Sequence, residues 1–203
     1  LGTDENDCVE ACASGENLHL FGAACAFRDP PDDPPDDGVS SGGTLHLTGW
    51  RDGTIQVADG ENPADTIERH YRVFVPADHD PARTHPLVIM MPGHRVSHYS
   101  LASYTELVRS ADQNDFILVL AEQQWRSGGE QRWAWWTDWD WASRADENPD
   151  FQFIRQLVQV LGDDYNVDLS RVFLAGHSRG AAMAYIAALE MPDLVAGAAV
   201  AVV

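Results

Sequence analysis

Leu87-Val88-Ile89-Met90-Met91 is an unbroken apolar run, closed by Pro92-Gly93. A strand with one wet face alternates apolar and polar residues, so a run without alternation has the form of a strand covered on both faces. Such a strand requires a parallel sheet with helices on either side. Residues 100 to 113 suit a helix, with Leu101, Tyr104, Leu107, Val108 and Ala111 near one face, and a second apolar run spans Phe116 to Leu120. Together they predict one β-α-β crossover. Further on, Ile154, Leu157, Val158 and Leu161 fall at helical spacing behind the helix-start signal Asn148-Pro149. A strand at Arg171 to Ala175 then leads into an Ala-rich helix from Ser178 to about Met191, punctuated by Pro192. The apolar segment Val195 to Val203 reads as another strand. Strands therefore alternate with helices from residue 86 onward, which predicts an α/β fold with a mostly parallel central sheet and flanking helices. Upstream, the pairs Leu45 and Leu47, Ile55 and Val57, and Tyr71, Val73 and Val75 alternate with polar residues, as antiparallel strands do.

Residues 1–43 differ in kind. They are rich in Asp, Pro, Gly and Cys, and the stretch from Asp29 to Gly38 contains only Asp, Pro and Gly. So little apolar surface predicts a solvated linker, with residues 44–203 forming the folded domain. The prolines and the missing ligand register argue against a calcium loop. Cys8, Cys12 and Cys25 all lie here, which favours an oxidising, extracellular location over a zinc site with His19. Their odd number leaves the disulfide pairing open. No metal and no cofactor is expected. A formal charge of −19, from 32 acidic against 13 basic residues, disfavours nucleic acid and anionic membrane surfaces as partners. No apolar run is long enough for a membrane helix. Oligomeric state is not legible.

Chemistry concentrates at Gly176-His177-Ser178-Arg179-Gly180, a G-x-S-x-G motif placed between a predicted strand and a predicted helix. That context is what a nucleophile elbow requires: a tight turn that exposes Ser178, with small residues at Gly176 and Gly180 where strand and helix approach closely. An acyl-transfer site also needs donors for the oxyanion. The backbone N–H of Arg179 is one candidate, and the N–H of His94, in the loop Pro92-Gly93-His94-Arg95, is the other. His177 is expected to pack within the elbow rather than to take a proton. In this motif's fold the chain order is Ser, acid, His. All eight histidines lie at or before His177, and only Glu190 and Asp193 are acidic after Ser178. The expectation is a nucleophile half whose acid and His lie beyond Val203, inactive or nearly so by itself. A base such as His98 swinging in from the oxyanion loop is the less favoured alternative.

Trp125, Trp133, Trp135, Trp136, Trp139 and Trp141 share the loop after the second crossover strand. Ligands of open α/β sheets sit at the carboxyl ends of strands, so Trp133, Trp135 and Trp136 are candidate substrate-lining residues. The alternative is a hydrophobic plug that holds a long loop in place; a mixture is expected.

Several stretches carry a family resemblance: Tyr71-Arg72-Val73-Phe74-Val75-Pro76, Pro86 to Gly93, Arg132-Trp133-Ala134-Trp135-Trp136, Asp150-Phe151-Gln152-Phe153-Ile154, Tyr165 to Val172, and the elbow. From about Arg69 to Val203 the chain resembles the polyhydroxybutyrate depolymerase and feruloyl esterase group of secreted α/β-hydrolases. The sequence departs from the group's usual pattern at Pro92-Gly93, where His-Gly is usual, and at Ala181, where a second Gly is usual. The resemblance implies the α/β-hydrolase fold, export from the cell, no metal, and cleavage of carboxylic esters through an acyl-serine. It further implies a substrate of the polyhydroxyalkanoate, feruloyl or acetyl ester type, polymeric or derived from plant cell wall. Two other readings compete: a non-catalytic module that holds a glycan or polyester, and a peptidase or lipase on the same fold.

Overall fold

The computed structural model describes residues 48–94, 96–126, 132–137 and 147–201. The segment 1–43 with its cysteines, and the pair Leu45 and Leu47, lie outside the described residues. The elements are β1 Gly49–Ala58, β2 Thr66–Val75, β3 His85–Met91, α1 His98–Tyr104, α2 Leu107–Asn114, β4 Ile117–Ala121, β5 Gln124–Arg126, β6 Arg132–Ala134, α3 Pro149–Tyr165, β7 Val167–His177, α4 Arg179–Glu190 and β8 Gly197–Ala201.

Among the described residues, six strands form one sheet in the order β1-β2-β4-β3-β7-β8, and β5 and β6 form a separate hairpin. β1 and β2 pair antiparallel, β2 pairs antiparallel with β4, and β4, β3, β7 and β8 are mutually parallel. The apolar runs explain this arrangement. All five residues of β4 are fully buried, and they alternate between two cores. Ile117, Val119 and Ala121 join Leu87, Ile89 and Met91 of β3 in a large cluster with α3 and α4. Leu118 and Leu120 join Met90 and Leu101 on the opposite face. With side chains pointing alternately up and down, only a sheet sandwiched between helices hides every residue of such a run. Each large side chain so buried contributes about 1.5–3 kcal/mol.

Local signals set the helix boundaries. Asn148 caps α3, its side chain accepting from the Asp150 N–H, with Pro149 in the first turn. Asn166 ends α3 and Asp115 ends α2, both in the left-handed conformation, which their short polar side chains tolerate. The single helix expected over 100–113 is two. The Thr105 hydroxyl and N–H both donate to the Leu101 carbonyl, at 2.6 and 3.2 Å. Thr105 itself is extended, so the chain breaks before α2 begins.

The topology creates a crevice. From β3 the chain crosses to β4 on one side, and from β7 it crosses to β8 on the other. The adjacent carboxyl ends of β3 and β7 therefore send their loops apart, which is the position where open α/β sheets take ligands. Among the described residues β8 has a neighbour on one side only, and Ala198 to Ala201 are exposed.

Candidate active site

Ser178 sits at the carboxyl end of β7, with φ 54° and ψ −117°. Among the described residues, three non-glycine residues have positive φ. Asp115 and Asn166 lie in the ordinary left-handed well, but Ser178, with its strongly negative ψ, does not. Holding a non-glycine residue there costs on the order of 1–3 kcal/mol and persists only when surrounding structure enforces it. Two features enforce it. The Ser178 N–H donates to the Ala201 carbonyl at 2.9 Å, extending the β7–β8 pairing into the bend. Gly176 and Gly180 also touch through their backbones: a Cβ on Gly176 would lie 2.6 Å from the Ala181 nitrogen, and one on Gly180 would lie 2.6 Å from the Met91 carbonyl carbon. Neither obstacle is a side chain that could swing aside, so the strand-to-helix turn closes only around glycine.

The bend leaves Ser178 exposed. Although it occupies the position before α4, its side chain makes no capping hydrogen bond. Arg179 is the first residue of α4, and the first N–H groups of a helix have no partner within it. The positive end of the helix dipole points at the same spot. A Cβ on Gly93 would lie 3.2 Å from Ser178 Cβ and 3.0 Å from His177 Nδ1, so the loop after β3 runs directly beside the serine. Gly93, His94, His177, Ser178 and Arg179 thus converge at one end of the sheet. Arg179 also reaches sideways, donating from Nη1 to Thr137 Oγ1 at 2.9 Å.

Trp135 and Trp136 are corrected from substrate-lining residues to structural ones. They are 2% and 4% exposed, and both indole N–H groups are spent internally. Trp135 donates to the Pro92 carbonyl at 2.8 Å and Trp136 to Gln124 Oε1 at 2.8 Å. Buried indoles need such partners, and here these rings plug the long loop. For Trp133 the backbone alone is described; it pairs with Trp125 in the β5–β6 hairpin. Trp139 and Trp141 lie outside the described residues.

A network unforeseen in the sequence anchors the same loop. Arg69 and Asp150, 1% and 0% exposed, form an ion pair at 2.8 Å. The second Asp150 oxygen accepts the Trp136 N–H at 2.6 Å, and Arg69 also donates to the Glu122 carbonyl at 2.6 Å. The guanidinium lies over the Phe153 ring at 4.4 Å. Helix α3, the tryptophan loop and the end of β4 are thereby joined at one point. The signal was present in the sequence as an acidic residue in the first turn of α3, but its partner is 81 positions away.

His98, the alternative base, is a poor proton acceptor in this arrangement. It is 3% exposed, and burial, reinforced by the nearby His70 and Arg72, pushes its imidazole down to about 4. Glu122 Oε1 stands 3.6 Å from Nδ1, too far for a good hydrogen bond; burial outweighs the pairing. The lowered value carries a stability consequence. Between about pH 6.5 and pH 4 the unfolded chain binds a proton here that the folded protein refuses. Stability from this group is therefore complete above about pH 6.5 and falls by on the order of 3 kcal/mol on acidification to about pH 4. Glu122, pushed upward by burial, offsets part of that loss. Denaturant unfolding at pH 7.5 and 4.5 is expected to show a smaller acid loss in His98→Gln than in the parent protein; equal losses would refute it.

A mixed sheet with a parallel half, helices on both faces and a strained serine turn at the carboxyl end of a central strand is the α/β-hydrolase fold. Within that class, a family model described as esterase PHB depolymerase matches residues 70–203, and the chain belongs to this family. Solved structures agree in fold. An acetyl xylan esterase from Aspergillus awamori is 21% identical with a TM-score of 0.56, over 73% of this chain and 51% of that one. A ferulic acid esterase is 15% identical with a TM-score of 0.54, over 74% of this chain and 59% of the other. An S-formylglutathione hydrolase from Agrobacterium tumefaciens is 18% identical with a TM-score of 0.52, over 76% and 58%. The chain thus spans about half the length of the solved structures it matches. Among curated protein sequences none matches it significantly.

Proposed function

We propose that this chain carries the nucleophile and the oxyanion donors of a serine esterase acting on carboxylic esters. The observation that carries the reading is the strained, exposed Ser178 between β7 and α4, beside Gly93, in a chain of an esterase family. In the reaction Ser178 Oγ attacks the ester carbonyl and loses its proton to a base. The carbonyl oxygen becomes an oxyanion held by the N–H groups of Arg179 and His94. The intermediate collapses with departure of the alcohol, which takes up the proton, and water then releases the acid from the acyl-serine. The Ser178 side chain is not tied up as a helix cap, and the base and its acid partner are assigned to residues outside those described.

Substrates of the polyhydroxyalkanoate, feruloyl or acetyl type are favoured by the family description and by structural neighbours named for acetyl xylan and ferulic acid. An exported protein fits the cysteine-bearing segment before the domain. The test is a substrate panel on the longest natural form of the protein: an aryl acetate, methyl ferulate, a 3-hydroxybutyrate oligomer and a peptide amide. Turnover of at least one ester, with an acyl-enzyme burst and negligible amide cleavage, is expected. Binding of the esters without turnover would instead favour a non-catalytic module.

A further inference from the structure

Gln123 lies just past β4, 1% exposed, and its carboxamide is used in an unusual way. Nε2 donates to the Gly93 carbonyl, and Pro92 and Val96 carbonyl oxygens lie 3.3 and 3.4 Å from the same nitrogen. One amide nitrogen thus faces three carbonyls of the loop that runs beside Ser178. The environment fixes which end is nitrogen, because an oxygen there would meet three others. Two more bonds complete the clasp: the Val96 N–H donates to the Gly93 carbonyl at 3.0 Å, closing a turn, and Trp135 Nε1 donates to the Pro92 carbonyl at 2.8 Å.

A trans peptide unit is planar, and its C=O and N–H point in opposite directions. Holding the Gly93 oxygen inward therefore turns the N–H of the same unit, that of His94, outward. Holding the Pro92 oxygen does the same for the Gly93 N–H. Both peptide units adjoin Gly93, on which a Cβ would lie 3.2 Å from Ser178 Cβ. We propose that Gln123 is a positioning residue that sets the oxyanion donors, by gripping the carbonyls of the Pro92–Gly93 and Gly93–His94 peptides so that their N–H groups face Ser178. The assignment rests on Ser178 being the nucleophile. Gln123 touches no reacting atom; it acts through the loop.

The test measures ester hydrolysis by the full protein and by Gln123→Met and Gln123→Glu, with rates normalised to active sites titrated by a fluorophosphonate. Met keeps the length and removes the donor, and Glu places an acceptor against three carbonyls. Removing an oxyanion donor outright costs about 100- to 1,000-fold in kcat, and a misaimed one is expected to cost about 10- to 100-fold with KM within about threefold of the parent. Gln123→Glu should be at least as impaired as Gln123→Met. If either variant is too unstable to titrate, the other is read by the same criteria. A normalised kcat within threefold of the parent in a folded variant would overturn the proposal, as would losses wholly accounted for by fewer titratable sites. If the parent protein itself forms no adduct at Ser178, the esterase reading fails first, and that outcome is distinct from active parent and unaffected variants.

Discussion

Replacing Ser178 by Ala is expected to lower ester turnover by about 10,000-fold or more while leaving the folded state intact. The structure supports both halves of this expectation. A serine before a helix normally contributes about 1 kcal/mol through its cap, so its loss would ordinarily blur chemistry with stability. Here the side chain makes no capping bond, and Ser178→Ala should change unfolding free energy by less than about 0.5 kcal/mol. Ser178→Gly goes further, because glycine adopts φ 54° without the penalty that serine bears. That variant is expected to be inactive yet more stable than the parent by about 1 kcal/mol. Denaturant unfolding beside a turnover assay checks all three proteins. A Gly variant less stable than the parent would contradict the strain attributed to the bend.

Asp150→Ala is expected to destabilise the protein by about 3–5 kcal/mol, the range for leaving one member of a buried ion pair alone. The Arg69 guanidinium would remain in an apolar setting between Phe153 and Trp135, and the Trp136 N–H would lose its acceptor. With stability of ordinary domains at 5–15 kcal/mol, much of the folded margin would go. The paired replacement Arg69→Met with Asp150→Leu removes both charges and should recover part of the loss. Chemical denaturation of the single and double variants tests this. A single-variant loss below about 1 kcal/mol would show that the pair does not anchor the loop.

The sheet was legible because β3 and β4 are written as unbroken apolar runs, which have few alternative uses, and because β1 and β2 alternate. The elbow was legible because Gly176, Ser178 and Gly180 fall between a strand and a helix, and the structure places the bend at Ser178. Other features depended on contacts that no local pattern announces. Arg69 and Asp150 meet across 81 positions, and Gln123 reaches back 30 positions to Gly93. Trp135 and Trp136 misled because an aromatic ring at a strand end suits a ligand surface and a core equally well. What decides is whether the indole N–H finds a partner inside, as both do through Pro92 and Gln124. The break at Thr105 was hidden by a helical apolar pattern that continues across it, since hydroxyl back-bonding leaves no trace in periodicity.

Treatment of the longest natural form of the protein with a fluorophosphonate, followed by trypsin and mass spectrometry, tests the central claim most directly. Cleavage after Arg171 and Arg179 releases Val172 to Arg179, a peptide with Ser178 as its one hydroxyl side chain. The phosphonate mass is expected on that peptide and is expected to be absent in Ser178→Ala. An adduct carried by any other peptide, or none at all in a protein that hydrolyses esters, would contradict it.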